Sequence, residues 1–371
     1  MELIIQSEFL KEAINKLSGV IDRKISRPIL TNCLITVENK NLILSATDTE
    51  VSVKIVLNAE STQNGSFCIN IKNFADILRE LPNDKLSLKI EKDKNLLHLT
   101  SGSINYSLVI VGAEEFPHLS FENTGTEFFL KSSDITRVIN KVSHAISTDE
   151  TRLYLNGIFF QQYDSTLRAV AIDGHRLAML DIPEFVSRSN FLVDGIIVPK
   201  KGVNELKKIT DTYPAESLRF SVDDSFLYVN HGKDYYISIR LISREYPKYQ
   251  TVIPNKTTFG LQVEKNALLN AVKRIKILAN EKTNGVKCTL KNNLLTVSTN
   301  HPSLGEAKEE IPIKYDGKEF NIGFNAKYLI DNLTVLSDTE ITMEFNNELS
   351  PVVVKCHDMQ DFLGIIMPLK I

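Results

Sequence analysis

The stretches LIIQSEFLKEAINKL (3–17) and FFLKSSDITRVINKV (128–142) share one pattern, with Ile14-Asn15-Lys16 falling on Ile139-Asn140-Lys141 at an offset of 125. The same offset carries Ala46-Thr47-Asp48 onto Ala171-Ile172-Asp173, so a helix and a distant turn move together. A third copy appears in LQVEKNALLNAVKRI (261–275), where Ala271-Val272 matches Ala13-Ile14 at an offset of 258. The chain of 371 residues therefore reads as one unit of roughly 125 residues written three times.

Each copy opens with a short strand and a helix. In the first, Phe9, Leu10, Ala13, Ile14 and Leu17 recur at helical spacing; in the second, Ile135, Val138, Ile139 and Val142 do so. Ser7 and Ser132 stand at the expected N-caps. Alternating strands follow in LITVENKNLILSATDTEVSVKIVL, IFFQQYDSTLRAVAIDGHRLAMLDI and VKCTLKNNLLTVSTNHPSLGEAKEEI, with turn pairs at Asn39-Lys40 and Asn292-Asn293. A second helix is expected in IKNFADILREL (71–81), PKKGVNELKKI (199–209) and NAKYLIDNL (325–333). EEFPHL (114–119) and REYPKY (244–249) mark the joints, proline ending the last strand of a copy. These joints place domains at 1–124, 125–254 and 255–371, each an α+β unit of two helices packed on antiparallel sheets.

Composition narrows the function. A hydrophobic fraction of 43% fills such cores. The first residues lack a signal peptide's basic start and apolar run, and no later run spans a bilayer, so a cytoplasmic protein is expected. Cys33, Cys68, Cys288 and Cys356 are too dispersed for a disulfide framework or zinc knuckle, and buried thiols are expected. No phosphate loop, dinucleotide fingerprint, nucleophile elbow or HExxH motif is present, and no metal or cofactor is expected.

The stretch AIDGHRLAML (171–180) sets Asp173, His175 and Arg176 side by side. Related turns in ATDTEVSV (46–53) and STNHPSLGEA (298–307) put Asp48 or Asn300 at the Asp173 position, which makes Asp173 a turn former. His175 and Arg176 lack counterparts in the first copy and need another explanation. A hydrolase using His175 and an open peptide-binding adaptor both stand as alternatives.

Charge is unevenly spread. The net charge is 0 over 7–18, +1 over 132–143, +3 over 200–209 and +3 over 264–276, in a chain of net −3. Repetition places equivalent helices on one side of an assembly, where such charges add into a strip suited to phosphates without reading bases.

The repeat, together with RLYLNG (152–157), AIDGHRLA (171–178), IVPKKGVNEL (197–206), IGFNAKYL (322–329) and IIMPLKI (365–371), resembles the bacterial DNA sliding clamps, the beta subunits of DNA polymerase III. The resemblance covers the whole chain. It implies a non-catalytic processivity factor: a head-to-tail homodimer closed into a ring, with helices lining the hole and double-stranded DNA threaded through it near the nucleoid. It implies DNA contacts at Lys24, Lys72, Arg152, Tyr154, Lys200 and Lys201, with Arg137, Lys141, Lys273 and Arg274 contributing field. A partner-peptide pocket is implied at Arg152, Leu155, Gly174, His175, Arg176 and Leu177, with Pro247, Val252 and Asn325, and with the tail residues Ile365, Ile366, Met367, Pro368 and Leu369. Short motifs of the replicative polymerase, the clamp loader, other polymerases and repair proteins would dock there. The ring joint would pair Tyr106 and Leu108 with Ile277 and Leu278, Glu306 and Glu309 lying nearby. This sequence departs from the family pattern at Asp149, Leu153, Ile172, Leu349 and Pro351.

Overall fold

The computed structural model describes residues 2–21, 27–38, 40–61, 63–122 and 125–370, apart from the side chain of Lys92. Lys24, Asn39 and the expected boundary at 124 lie outside the described residues. The helices are α1 (Ser7–Ser18), α2 (Ile71–Glu80), α3 (Ser132–Val142), the short α4 (Asn190–Asp194), α5 (Lys200–Thr212), α6 (Lys265–Ile275) and α7 (Ala326–Thr334). Within the first repeat α1 packs on α2, and within the third α6 packs on α7.

By its contacts the chain divides into two compact units, and the middle repeat contributes to both. One unit comprises Met1–Ile135, Ser187–Phe191 and Lys201–Leu241. Its eight-stranded sheet runs Glu127–Lys131, Ser217–Val222, Phe226–His231, Tyr235–Arg240, Val51–Asn58, Asn41–Thr47, Asn32–Glu38, Gly65–Asn70. Tyr235–Arg240 of the second repeat pairs with Val51–Asn58 of the first, so hydrogen bonding crosses the repeat joint. A five-stranded sheet in this unit runs Glu60–Ser61, Glu2–Gln6, Lys85–Glu91, Leu96–Ser101, Ile104–Val109.

The other unit comprises Thr136–Val186, Leu192–Lys200 and Ile242–Ile371. Its twelve strands run Ile196–Pro199, Gly157–Tyr163, Thr166–Ile172, Arg176–Ile182, Phe362–Ile366, Val352–Cys356, Glu340–Phe345, Phe259–Glu264, Gly305–Lys314, Leu294–His301, Gly285–Lys291, Phe320–Asn325. Here Arg176–Ile182 of the second repeat pairs with Phe362–Ile366 of the third. The pairings in all three sheets are antiparallel, as alternation in the sequence requires.

Several local expectations hold and several are corrected. Ile135, Val138, Ile139 and Val142 are buried as their spacing predicts, but Phe9 is 56% exposed, outside the buried stripe of α1. Ser7 and Ser132 are not N-caps; each is the first helical residue and fully buried. Ser7 Oγ donates to the Pro82 carbonyl at 2.9 Å, and the amides of Ser7 and Ser132 donate to the carbonyls of Asp84 and Glu216. Lys265 at the start of α6 makes the same bond to Thr339, so this anchor of the first helix recurs in every repeat. True side-chain caps occur at Asn70, Glu264 and Asn325. The prolines Pro117 and Pro247 lie in connectors beyond the strands Ile104–Val109 and Tyr235–Arg240 rather than ending them. Asn292 and Asn293 both adopt positive φ and form the expected two-residue hairpin turn. Cys33, Cys68, Cys288 and Cys356 are free and buried, and burial pushes the Cys68 and Cys288 thiols up to about 12.

The repeated turn stores strain in one copy. Thr49 has φ of 81° where the aligned Gly174 has 92°. A β-branched side chain is unfavourable there. Thr49→Gly is expected to raise unfolding stability by about 1 kcal/mol, read as a higher urea midpoint at unchanged slope; an unaltered midpoint would show that the turn holds Thr49 without strain.

Candidate functional site

The site grows from the turn that looked reactive. Asp173 Oδ1 accepts the amides of His175 at 2.8 Å and Arg176 at 3.0 Å, as a turn-forming aspartate does. Asp48 repeats this arrangement with Glu50 at 3.0 Å and Val51 at 2.8 Å, which supports the structural reading of Asp173. Asn300 does not repeat it: it lies inside the strand Leu294–His301, opposite Glu306. Gly174 suits its φ of 92°, and the absence of a Cβ leaves room for the Arg152 guanidinium, whose Nη1 would otherwise stand 2.8 Å away.

Arg152 sits against this turn. Its Nε donates to Asp149 Oδ2 at 2.8 Å and its Nη2 to the Asp173 carbonyl at 3.3 Å. Asp149, bonded first by the Thr151 hydroxyl and amide and then by Arg152, has its carboxyl held down to about 2. Asp149 thus ties Arg152 down beside the Gly174 turn. Arg176 is more enclosed, with Nε on Asp173 Oδ2 at 2.9 Å, Nη1 on Asp331 Oδ2 at 2.6 Å, and its guanidinium 4.5 Å from the Tyr328 ring centre. The His175 ring stacks on the same tyrosine at 5.7 Å.

Beside the turn lies an apolar cluster of Leu155, Phe159, Val170, Leu177, Ile197, Tyr246, Tyr249 and Ile365. Phe159 and Tyr246 stack with centroids 4.5 Å apart, and Tyr249 meets both edge-on. Tyr154, Ile172, Met179, Ile242, Val252, Ile253 and Leu363 pack against this floor. Of the expected pocket residues, Leu155, Leu177, Val252 and Ile365 thus come together here, and Pro247 lies in the same connector as Tyr246 and Tyr249. Asn325 instead caps α7 through the amides of Lys327 and Tyr328. Ile366 is fully buried, and strand alternation turns it to the face opposite Ile365.

The tail divides the remaining residues. The Met367 amide donates to the His175 carbonyl at 2.8 Å, carrying Pro368 past the turn. Leu369 then bonds the Gly323 carbonyl at 2.8 Å and lines a separate cleft of about 720 Å³ with Glu306 and Lys308. Sequence reasoning missed Phe159, Val170, Tyr246, Tyr249, Tyr328 and Asp331. Their apolar or helical spacing reads as ordinary core: Phe159, Val170, Tyr246 and Tyr249 come together within the second repeat, and Tyr328 and Asp331 reach the turn from α7 of the third.

Successive segments of the chain match the DNA polymerase III beta subunit, with the N-terminal domain at residues 1–120, the central domain at 129–248 and the C-terminal domain at 250–370. The beta sliding clamps of Pseudomonas aeruginosa and Proteus mirabilis are 30% and 31% identical to it, each alignment covering 100% of both chains. The chain belongs to the bacterial beta sliding clamp family. Its fold matches a crystal structure of the Pseudomonas aeruginosa sliding clamp with ligand at a TM-score of 0.93 and 29% identity, covering 100% of each chain. A sliding clamp from Bartonella birtlesii bound to griselimycin matches at a TM-score of 0.95 and 27% identity, again over 100% of each chain. Sliding clamps are non-catalytic processivity factors of DNA polymerase III, so the hydrolase alternative is set aside.

The clamp's expected DNA-facing residues fall into two groups. Lys72, Lys200 and Lys273 are exposed and form no ion pair among the described residues. The others are engaged within the chain: Lys201 with Asp48, Arg137 with Asp361, Lys141 with the Val335 carbonyl, and Arg274 with Glu309 at 2.9 Å. Tyr154 packs on the apolar cluster. Charge counted along the helices therefore overstates the free positive charge. Among the described residues no cluster of His, Cys, Asp and Glu could hold a metal, and no helix is long and apolar enough to cross a membrane.

At the expected ring joint, Ile104–Val109 is the outer strand of its sheet, with Tyr106 and Leu108 partly buried and Val109 77% exposed. Ile277 is likewise 77% exposed, next to the partly buried Leu278. Glu306 is exposed, whereas Glu309 already holds Arg274.

His144, near Arg176, offers a pH test. Burial first, and then the charge of Arg176, push its imidazole from 6.5 down to about 4. The unfolded chain therefore binds a proton that the folded clamp refuses, so this contribution to stability is present above about 6.5 and is lost as pH falls towards 4. His144→Gln is expected to flatten the fall in urea stability across that window; parallel profiles for the two proteins would place the acid sensitivity elsewhere.

Proposed function

We propose that two copies of this chain pair head to tail into a ring around double-stranded DNA, in the cytoplasm with the nucleoid. The observation that carries the ring is the open edge of Ile104–Val109, whose outer side has no strand partner among the described residues and carries exposed apolar side chains. A second open edge is offered by the start of Gly305–Lys314, which on that side pairs with Phe259–Glu264 only at Ile313 and Lys314. Tyr106 and Leu108 against Ile277 and Leu278 of a second copy would cover both apolar surfaces, with Glu306 at the rim. Duplex DNA would be held topologically, while Lys72, Lys200 and Lys273 touch phosphates without fixing a register. The aromatic-floored groove beside His175 would bind short apolar motifs of the replicative polymerase, the clamp loader, other polymerases and repair proteins.

The deciding measurement loads the protein onto a nicked circular plasmid with a clamp loader and ATP, raises the salt, and then linearises the DNA. Retention on circles with loss from free ends is expected, because screened electrostatic binding is indifferent to ends. Salt-sensitive binding that ignores linearisation, alongside a control clamp that loads normally, would instead favour the open adaptor.

The exposed and paired lysines should separate cleanly. Lys200→Ala is expected to reduce the salt slope of direct duplex binding by about 1 with stability unchanged. Lys201→Ala leaves the nearly buried Asp48 carboxylate without its partner and is expected to cost about 2 kcal/mol of stability. Equal stability of the two variants in urea would remove the structural role given to Lys201.

A further inference from the structure

We propose that Asp331 is a positioning residue for the peptide groove: from α7 it holds Arg176, and through Arg176 it fixes the His175–Arg176 turn in the shape a ligand meets. The inference rests on the groove reading above. Arg176 is 8% exposed and shares its guanidinium between two carboxylates, Asp173 at 2.9 Å and Asp331 at 2.6 Å. The bond to Asp173 is internal to the turn and forms wherever the turn forms. The bond to Asp331 is the one that reaches from the second repeat to the third. It is charge-assisted, and on the arginine side it is almost wholly out of water, where an uncompensated guanidinium is strongly disfavoured.

Movement of Arg176 is transmitted at once to the groove. His175, its chain neighbour, stacks on Tyr328 and accepts the Met367 amide at 2.8 Å, so the imidazole and the first residue of the tail follow the turn. Leu177, on the other side, belongs to the apolar floor beside Leu155 and Ile365. Asp331 itself lies outside that floor and acts on a ligand only by way of Arg176. A groove set in this way is preformed, so its ligand bears little ordering cost.

The test uses the full-length protein and fluorescein-labelled griselimycin, the ligand of the Bartonella birtlesii clamp. Affinity is measured by fluorescence polarisation for the wild type, for Asp331→Asn, Asp331→Glu and Arg176→Ala, and for the Asp331→Asn, Arg176→Ala double variant. The isosteric Asp331→Asn is expected to bind about tenfold more weakly with unchanged dimer mass, and Asp331→Glu to recover most of that loss. In the Arg176→Ala background the same Asn substitution should have no further effect, since a residue acting through Arg176 has nothing left to position. Wild-type affinity for Asp331→Asn overturns the proposal, as does an equal further loss in the Arg176→Ala background, which would mark a general contribution of α7. If the wild type itself fails to bind griselimycin while a control clamp binds it, the groove reading falls, and the assignment of Asp331 falls with it.

Discussion

Backbone hydrogen bonding across the repeat joints is the constraint on which the structure depends. A sheet edge left open in a core exposes unpaired amides and carbonyls, and each repeat supplies strands whose edges need neighbours from the next. Tyr235–Arg240 finds Val51–Asn58, and Arg176–Ile182 finds Phe362–Ile366. Among the described residues the middle repeat consequently has no sheet wholly its own. Its strands complete one sheet with the first repeat and another with the third, and for that reason the contacts divide the chain through the middle repeat rather than between repeats.

The apolar cluster beside His175 draws on the second of these joints. Strand Phe362–Ile366 brings Ile365 against Leu177, and the connector after the second repeat folds Tyr246 and Tyr249 onto Phe159. Polar residues around it hold geometry. Asp173 shapes the turn, Asp149 draws Arg152 over Gly174, and Asp331 meets Arg176 from α7. Carboxylates and guanidinium groups that look like reactive chemistry in one dimension are here bonded to one another and to backbone amides.

The repeat was legible because internal similarity needs no long-range information: the Ile14-Asn15-Lys16 match and the Asp48 and Asp173 turns both correspond to shared geometry. Helix faces were legible for the same reason, with Phe9 the exception that spacing alone cannot flag. Capping was misjudged because Ser7 and Ser132 have the right chemistry one residue too late, inside the helix and bonded towards a neighbouring loop. The free charge on the helices was misjudged for a physical reason too. Lys201, Arg137, Lys141 and Arg274 find partners far away in the chain, and formal charge in a sequence window carries no record of them. The aromatic floor was hidden because its members come from separate segments, each reading as unremarkable core.

The pairing of Arg176–Ile182 with Phe362–Ile366 also dictates an order of events during synthesis. The strand emerging in mid-chain has one neighbour, Thr166–Ile172, soon after translation, while its other edge stays open until Phe362–Ile366 has left the ribosome. The first repeat can assemble its own helices and five-stranded sheet long before then. The second unit closes late and through contacts of great sequence separation, the kind that forms slowly and leaves a strand edge open to misassembly with another chain in the meantime.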